Sequence, residues 1–298
     1  MGCRAHLVVH GGNLALIDRA EQRLRELEAL WSRFLPDSDV TRANRAAGSP
    51  VQVHDDTLAI VRRAIDGWQQ TTGRFDITTL PALLEAGYTR STVDDALAPT
   101  VPGSRGGACG LLQLDYSNRT LTVPAGSAID LGGIGKGFAA DIVAEELVEA
   151  GAVGALVNMG GDIAVQGRPG NDPVWFLGID DPMHDPAPGD ALRHVAIFRL
   201  ETGGVATSGT TIRRWTRPDG TAAHHVIDPA TSAPSNSSVL TATVIASDAA
   251  TAEVFATSAM MLSGTAAVAM LDGLGLAGLV ITDDGHVRRT ATLKDYES

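Results

Sequence analysis

Cysteine is almost missing from this chain: Cys3 and Cys109 are the only two in 298 residues. With no CxxC pair and no Cys/His grouping, neither a zinc site nor a disulfide framework is supported. Aromatic residues make up only 4%, so the core is expected to be built from small aliphatic side chains, alanine and glycine being abundant. Positive charge is scarce, 23 Lys and Arg against 35 Asp and Glu, for a net charge of −12. That balance argues against a surface for nucleic acid or anionic membrane. Any polyanion must therefore be neutralised locally, by a metal or by backbone dipoles. No apolar run approaches a membrane span, and the opening MGCRAHLVVHGG carries no hydrophobic signal region, so a cytoplasmic location is expected. What is present, 44% hydrophobic residues and a mean hydropathy of +0.06, describes a globular protein with a sizeable core.

Periodicity supplies the elements. Residues 4–10 read as a strand. Ile17, Ala20, Leu24, Leu27, Trp31 and Phe34 recur in steps of three and four, one face of a long helix that Pro36 should end. Residues 56–70 repeat the pattern with Val61, Ala64, Ile65 and Trp68, closed by Gly73. Stretches 98–110 and 168–190 read as Pro/Gly-rich loops, too short and too apolar for domain linkers. A helix at 137–150 leads through Gly151 into ALVNMGGDIAV, and a helix at 248–272 leads through Gly275 into AGLVITDDGHV. This echo points to an α+β fold in which two related halves share one core.

The segment DLGGIGKGFAAD, residues 130–141, sets three glycines around Lys136 directly before a helical pattern. Backbone N–H groups in such a loop, and the helix N-terminus behind it, favour an anion. It is neither a P-loop, because Lys136 is followed by Gly137, nor a dinucleotide fingerprint, because the spacing is G-x-G-x-G. Alone it is either a phosphate cradle or a tight strand-to-helix turn.

Three other stretches carry chemistry. Glu253 and Thr257 are four apart in a helical pattern, so a carboxylate and a hydroxyl share one face. They form either a hard-cation site or a solvated acid beside a threonine bonded to its own helix. In HHVIDPATSAP, His224 and His225 would point to opposite faces of an extended strand, so at most one joins a given site. In GGVATSGTTIRRW, Ser208 and Thr210 can bond phosphate, or the loop is an ordinary turn.

Taken in order, MGCRAHLVV, WSRFLPDSDVTRAN, TTGRFDITTLPAL, DLGGIGKGFAAD, LVNMGGDIAVQG, VATSGT, HHVIDPATSAP and TAEVFAT resemble the ApbE family of FAD:protein FMN transferases over nearly the whole chain, 1–298. The resemblance implies an α+β fold with FAD between two related halves. It implies that Met1 and Phe34 touch the flavin ring, Phe34 standing where the family usually has Tyr. Arg74, Phe75 and Asp76 would line the nucleotide pocket, and Asp130, Lys136 and Ile227 would contact FAD. Magnesium would be held by the backbone carbonyl of Gly133 with Glu253 and Thr257, and His225 would take the proton. Two departures stand out: Glu253 replaces the usual Asp, and Thr210 replaces the Asp that commonly follows ATSG. The implied reaction transfers FMN from FAD to a Thr or Ser hydroxyl of an acceptor flavoprotein, releasing AMP. The alternatives are a metal-dependent FAD pyrophosphatase and a non-catalytic FAD carrier.

Overall fold

The computed structural model describes residues 2–91, 97, 106–184, 193–217 and 219–298. Its centre is a seven-stranded sheet whose spatial order follows the chain. The strands are β1 (Ala5–His10), β2 (Gly154–Met159), β3 (Asp162–Gly167), β4 (Gly203–Gly209), β5 (Val239–Ala246), β6 (Ala277–Thr282) and β7 (Val287–Arg289). All neighbours are antiparallel. Among the described residues seven α-helices accompany it: α1 (Ala15–Trp31), α2 (Asp39–Arg45), α3 (Asp55–Gln70), α4 (Leu80–Glu85), α5 (Gly135–Glu149), α6 (Ala249–Ala259) and α7 (Gly264–Gly273).

Strand alternation assigns the two faces. Ala155 and Val157 of β2, Ala242 and Val244 of β5 and Val280 of β6 pack toward the helices. Leu156, Ile163, Val205, Ile245 and Leu279 pack the other way, against a hairpin of Trp175–Asp180 and His194–Leu200. The helix layer is rich in alanine, as the composition implied, and this lets backbones approach closely. A Cβ on Gly137 would collide with the Ala249 carbonyl and lie 2.9 Å from the Ala250 nitrogen. Gly137 is thus where α5 crosses the start of α6, and Asp141 fastens the crossing by accepting the Ala249 and Ala250 N–H groups at 2.8 and 2.9 Å.

The internal echo is real in three dimensions. α5 runs through Gly151 into the β2–β3 hairpin, and α7 runs through Gly275 into the β6–β7 hairpin. Both glycines hold left-handed φ angles, +103° and +69°, which a side chain would disfavour.

Three expectations need correction. α1 stops at Trp31, and Ser32 turns extended, so Phe34 lies beyond the helix and Pro36 does not end it. The chain turns there because Arg33 finds Asp130, its Nε 3.1 Å from Oδ2, a partner invisible to periodicity. The single helix at 248–272 is two, separated where Ser263 caps α7 by accepting the Ala266 N–H at 3.4 Å. The 168–190 loop contains the strand Trp175–Asp180, in which Trp175, Leu177 and Ile179 are buried. Its Pro and Gly flanks mask a period-2 signal. Residues 98–105 and 185–190 of the two loop stretches lie outside the described residues.

Candidate active site

Asp130 opens the glycine loop by accepting the Gly132 N–H at 2.9 Å, and the Gly135 N–H bonds back to the Leu131 carbonyl at 2.7 Å. The chain then enters α5, and Lys136 becomes its second residue. Lys136 is one of only two lysines in the protein. Its ammonium pairs with Asp162 at the start of β3 and stands 3.0 Å from Glu253 Oε1 on α6. Both acids are buried, 0% and 2% exposed. Glu253 Oε2 accepts the Gly137 N–H at 2.8 Å, and Asp162 Oδ1 accepts the Thr207 N–H at 3.3 Å. The loop, α5, β3, β4 and α6 thus meet at one point.

Two carboxylates against one ammonium leave a buried surplus of one negative charge, which proteins tolerate only where something compensates it. Glu253 Oε1 makes no hydrogen bond. One helical turn on, the Thr257 hydroxyl lies 3.1 Å from the Ser208 hydroxyl. Gly133 sits against the same spot: a Cβ there would lie 3.6 Å from Thr257 Oγ1. The Glu253 carboxylate and the Thr257 and Ser208 hydroxyls, beside the loop at Gly133, are oxygen donors of the kind magnesium accepts. Among the described residues no group of three or more His, Cys, Asp or Glu side chains is placed to hold a metal. A cation here therefore needs oxygens from a ligand as well.

Beside this charged point opens a cleft of about 340 Å³, lined among others by Trp31, Arg33, Phe34, Tyr88, Lys136 and Arg213. Its wall is aromatic. Tyr88 stacks on Trp215 with centroids 5.6 Å apart, and Phe34 meets Tyr88 edge-on at 6.3 Å. The Arg33 guanidinium lies 4.1 Å from the Phe34 ring centre and 4.9 Å from that of Tyr88.

The two histidines diverge, as their adjacency in an extended segment predicted. His224 Nε2 bonds the Ser235 carbonyl at 3.0 Å. His225 Nδ1 bonds the Arg213 carbonyl at 3.3 Å. Burial, reinforced by the positive charges of Arg213 and Lys136, pushes the His225 pKa down to about 3, so its ring is neutral. A ring that donates Nδ1–H to a carbonyl leaves its Nε2 lone pair free.

The remaining sequence candidates are placed as follows. Met1 lies outside the described residues, although Gly2 lines the cleft and accepts from Arg213 Nη2 at 3.4 Å. Asp130, Phe34 and Lys136 line the cleft. Arg74 bonds Thr71 and Thr72 within its own turn, at 3.1 and 2.7 Å. Phe75 is buried behind Gly133, its ring 3.2 Å from where a Cβ would be. Asp76 caps the short 3-10 turn Ile77–Thr79 through the Thr78 N–H at 2.6 Å, and burial raises its pKa. Ile227 is buried with Leu80, Leu83 and Ala128, and the Thr210 N–H bonds the Leu240 carbonyl at 3.1 Å. Arg74, Phe75, Asp76, Gly133, Ser208, Thr210, His225, Ile227, Glu253 and Thr257 do not line the cleft itself. Sequence reasoning missed Arg33, Tyr88, Asp162 and Trp215. Only Asp162 carried a signal, the Gly-Gly-Asp turn between two apolar runs.

Solved flavin transferases share this architecture. The ApbE flavin transferase of Vibrio cholerae superposes with a TM-score of 0.79 at 25% identity, covering 99% of this chain and 96% of that one. An ApbE protein of Thermotoga maritima superposes with a TM-score of 0.85 at 26% identity, covering 100% and 96%. The chain belongs to the ApbE family, whose profile matches residues 1–280. An FAD:protein FMN transferase of V. cholerae is 30% identical over 273 residues, 89% of this chain and 79% of that protein. One of Treponema pallidum is 28% identical over 301 residues, 94% and 81%.

Proposed function

We propose that this flavinyltransferase takes FMN from FAD and joins it to a Thr or Ser hydroxyl of an acceptor protein, releasing AMP. The observation that carries the reading is the junction of an aromatic-walled cleft with a glycine loop, an ammonium and a buried surplus carboxylate. A ligand with both a planar ring system and a diphosphate uses every part of that junction. The names of the relatives, FAD:protein FMN transferases, agree with it.

Glu253, Thr257 and the Gly133 carbonyl would hold magnesium, which when bound neutralises the diphosphate and the charge developing on departing AMP. The protein's own groups do the rest. Lys136 binds the diphosphate from the side of the α5 N-terminus. Phe34 and Tyr88, the latter backed by Trp215, hold the ring and fix the phosphorus in place. His225, through Nε2, accepts the proton of the acceptor hydroxyl as its oxygen bonds to the FMN phosphorus and the bond to the AMP oxygen breaks. Burial is the larger cause of the low His225 pKa, and a diphosphate arriving beside Arg213 and Lys136 offsets only the lesser part that their charges contribute.

The test is incubation with FAD, magnesium and a flavoprotein acceptor, reading intact acceptor mass and free AMP together. Acceptor mass gain in step with AMP is the expected result. AMP without mass gain would make the protein a pyrophosphatase, and neither would make it a carrier.

A further inference from the structure

Two residues that line the cleft each carry a buried polar group with no partner. Arg33 Nη1 and Trp31 Nε1 are both sealed from water and make no hydrogen bond, and both residues line the cleft. The rest of Arg33 is fully engaged: Nε pairs with Asp130 at 3.1 Å, and Nη2 donates to the Tyr88 carbonyl at 3.0 Å. The side chain is 5% exposed. A buried guanidinium N–H left unmade is costly. Here a second unmade donor stands two residues away, just where α1 ends. Such vacancies mark a place where a ligand supplies acceptors.

We infer that Arg33, assisted by Trp31, is a specificity residue for the flavin ring, donating from Nη1 to a carbonyl and ring-nitrogen pair of its pyrimidine portion once the side chains covering Nη1 give way to the ring. This rests on the reading of FAD as substrate. The ligand must be planar, because the guanidinium is held against the Phe34 and Tyr88 rings. It must also offer acceptors in a row. The isoalloxazine does so at either end of its pyrimidine portion, where the C2 carbonyl neighbours unprotonated N1 and the C4 carbonyl neighbours unprotonated N5, the N3–H lying between the two pairs. Adenine fits less well, because its exocyclic amine would set donor against donor. Neither residue acts on the reacting phosphorus. Arg33 sets which ring occupies the slot.

The experiment compares riboflavin, which has the ring without the diphosphate, with ADP-ribose, which has the diphosphate and adenosine without the ring. Affinities for both, and for FAD, are measured by calorimetry on the full chain and on Arg33→Met and Trp31→Phe. Arg33→Met should weaken riboflavin and FAD roughly 10- to 100-fold, the range of a hydrogen bond to a charged group, with ADP-ribose within about twofold. Trp31→Phe should weaken riboflavin by roughly 2- to 10-fold, the range of a neutral hydrogen bond, and it carries the test if Arg33→Met does not fold. Parallel losses of riboflavin and ADP-ribose would make Arg33 a fold residue and overturn the inference. A loss confined to ADP-ribose would assign the slot to adenine, and no change in any ligand would overturn it outright. If the unaltered protein bound FAD no better than ADP-ribose, the proposed function itself would fall, an outcome visible before any variant is made.

Discussion

Replacing Glu253 by glutamine separates a structural acid from a metal-binding one, because the two roles predict opposite effects on stability. The amide keeps the size, and its oxygen can still accept the Gly137 N–H now held at 2.8 Å. Its NH2 would face the Lys136 ammonium where Oε1 now stands at 3.0 Å, donor against donor. Removing one member of a buried ion pair usually costs about 3–5 kcal/mol, because a charge is stranded. Lys136 is not stranded here, since Asp162 remains its partner. The substitution instead turns two acids per ammonium into one and removes the surplus charge. The two effects oppose each other, so the metal-free variant should differ from the parent by no more than about 1–2 kcal/mol. At roughly 2–4 °C per kcal/mol that is a Tm shift of a few degrees in either direction. Magnesium with FAD at about 100 times Kd should stabilise the parent by about 2.7 kcal/mol. Glu253→Gln should lose that increment together with transfer, whereas Glu253→Asp should retain both. Thermal melting of the parent and both variants, with magnesium or EDTA and with or without FAD, reads all of this. A metal-free Glu253→Gln that melts about 10 °C lower, yet gains as much from magnesium as the parent, would show that Glu253 is only a core ion-pair partner.

Four further outcomes are expected. His225→Ala should lower transfer by about two to four orders of magnitude with FAD affinity nearly unchanged, while His224→Ala, whose ring is bonded to the Ser235 carbonyl, should do far less; equal losses in a kcat and Kd comparison would refute the assignment. Because the His225 pKa drops from 6.5 unfolded to about 3 folded, the unfolded chain binds more protons in that window and stability is lost as pH falls through it; His225→Ala should flatten this slope in urea titrations between those pH values. Gly137→Ala should destabilise by at least about 2 kcal/mol, because backbone of α6 blocks the Cβ and overpacking outweighs the gain in helix propensity; an unchanged urea midpoint would disprove the close crossing. Cys109 is buried with its thiol pushed up to about 12, so iodoacetamide on the native protein should label Cys3 alone, and peptide mapping that finds Cys109 alkylated would contradict its placement.

Much of the site was legible because its signals are local. The i, i+4 spacing of Glu253 and Thr257 survives intact on α6, and Glu253 meets Lys136 while Thr257 meets Ser208. Lys136 follows the glycine loop immediately, and the opposite facing of His224 and His225 is a property of extended backbone. The expected pocket residues Arg74, Phe75 and Asp76 sit together behind the loop, held by bonds within their own turn, and no pattern in that turn says which side of the loop it occupies.

By itself, the sequence determined the helices with a clear apolar stripe, the glycine turns that lead into the paired hairpins, and the family to which the chain belongs, because each depends on residues close in the chain or on their order. Only the tertiary structure decided where α1 ends and what the cleft is made of. Arg33 reaches Asp130 across 97 positions by residue number, Lys136 reaches Asp162 across 26 and Glu253 across 117. Pairings over such separations have no periodicity to reveal them. They form because packing α5 and α6 on one face of the sheet brings buried charges together, and each charge must then find its partner among the groups that arrive with it.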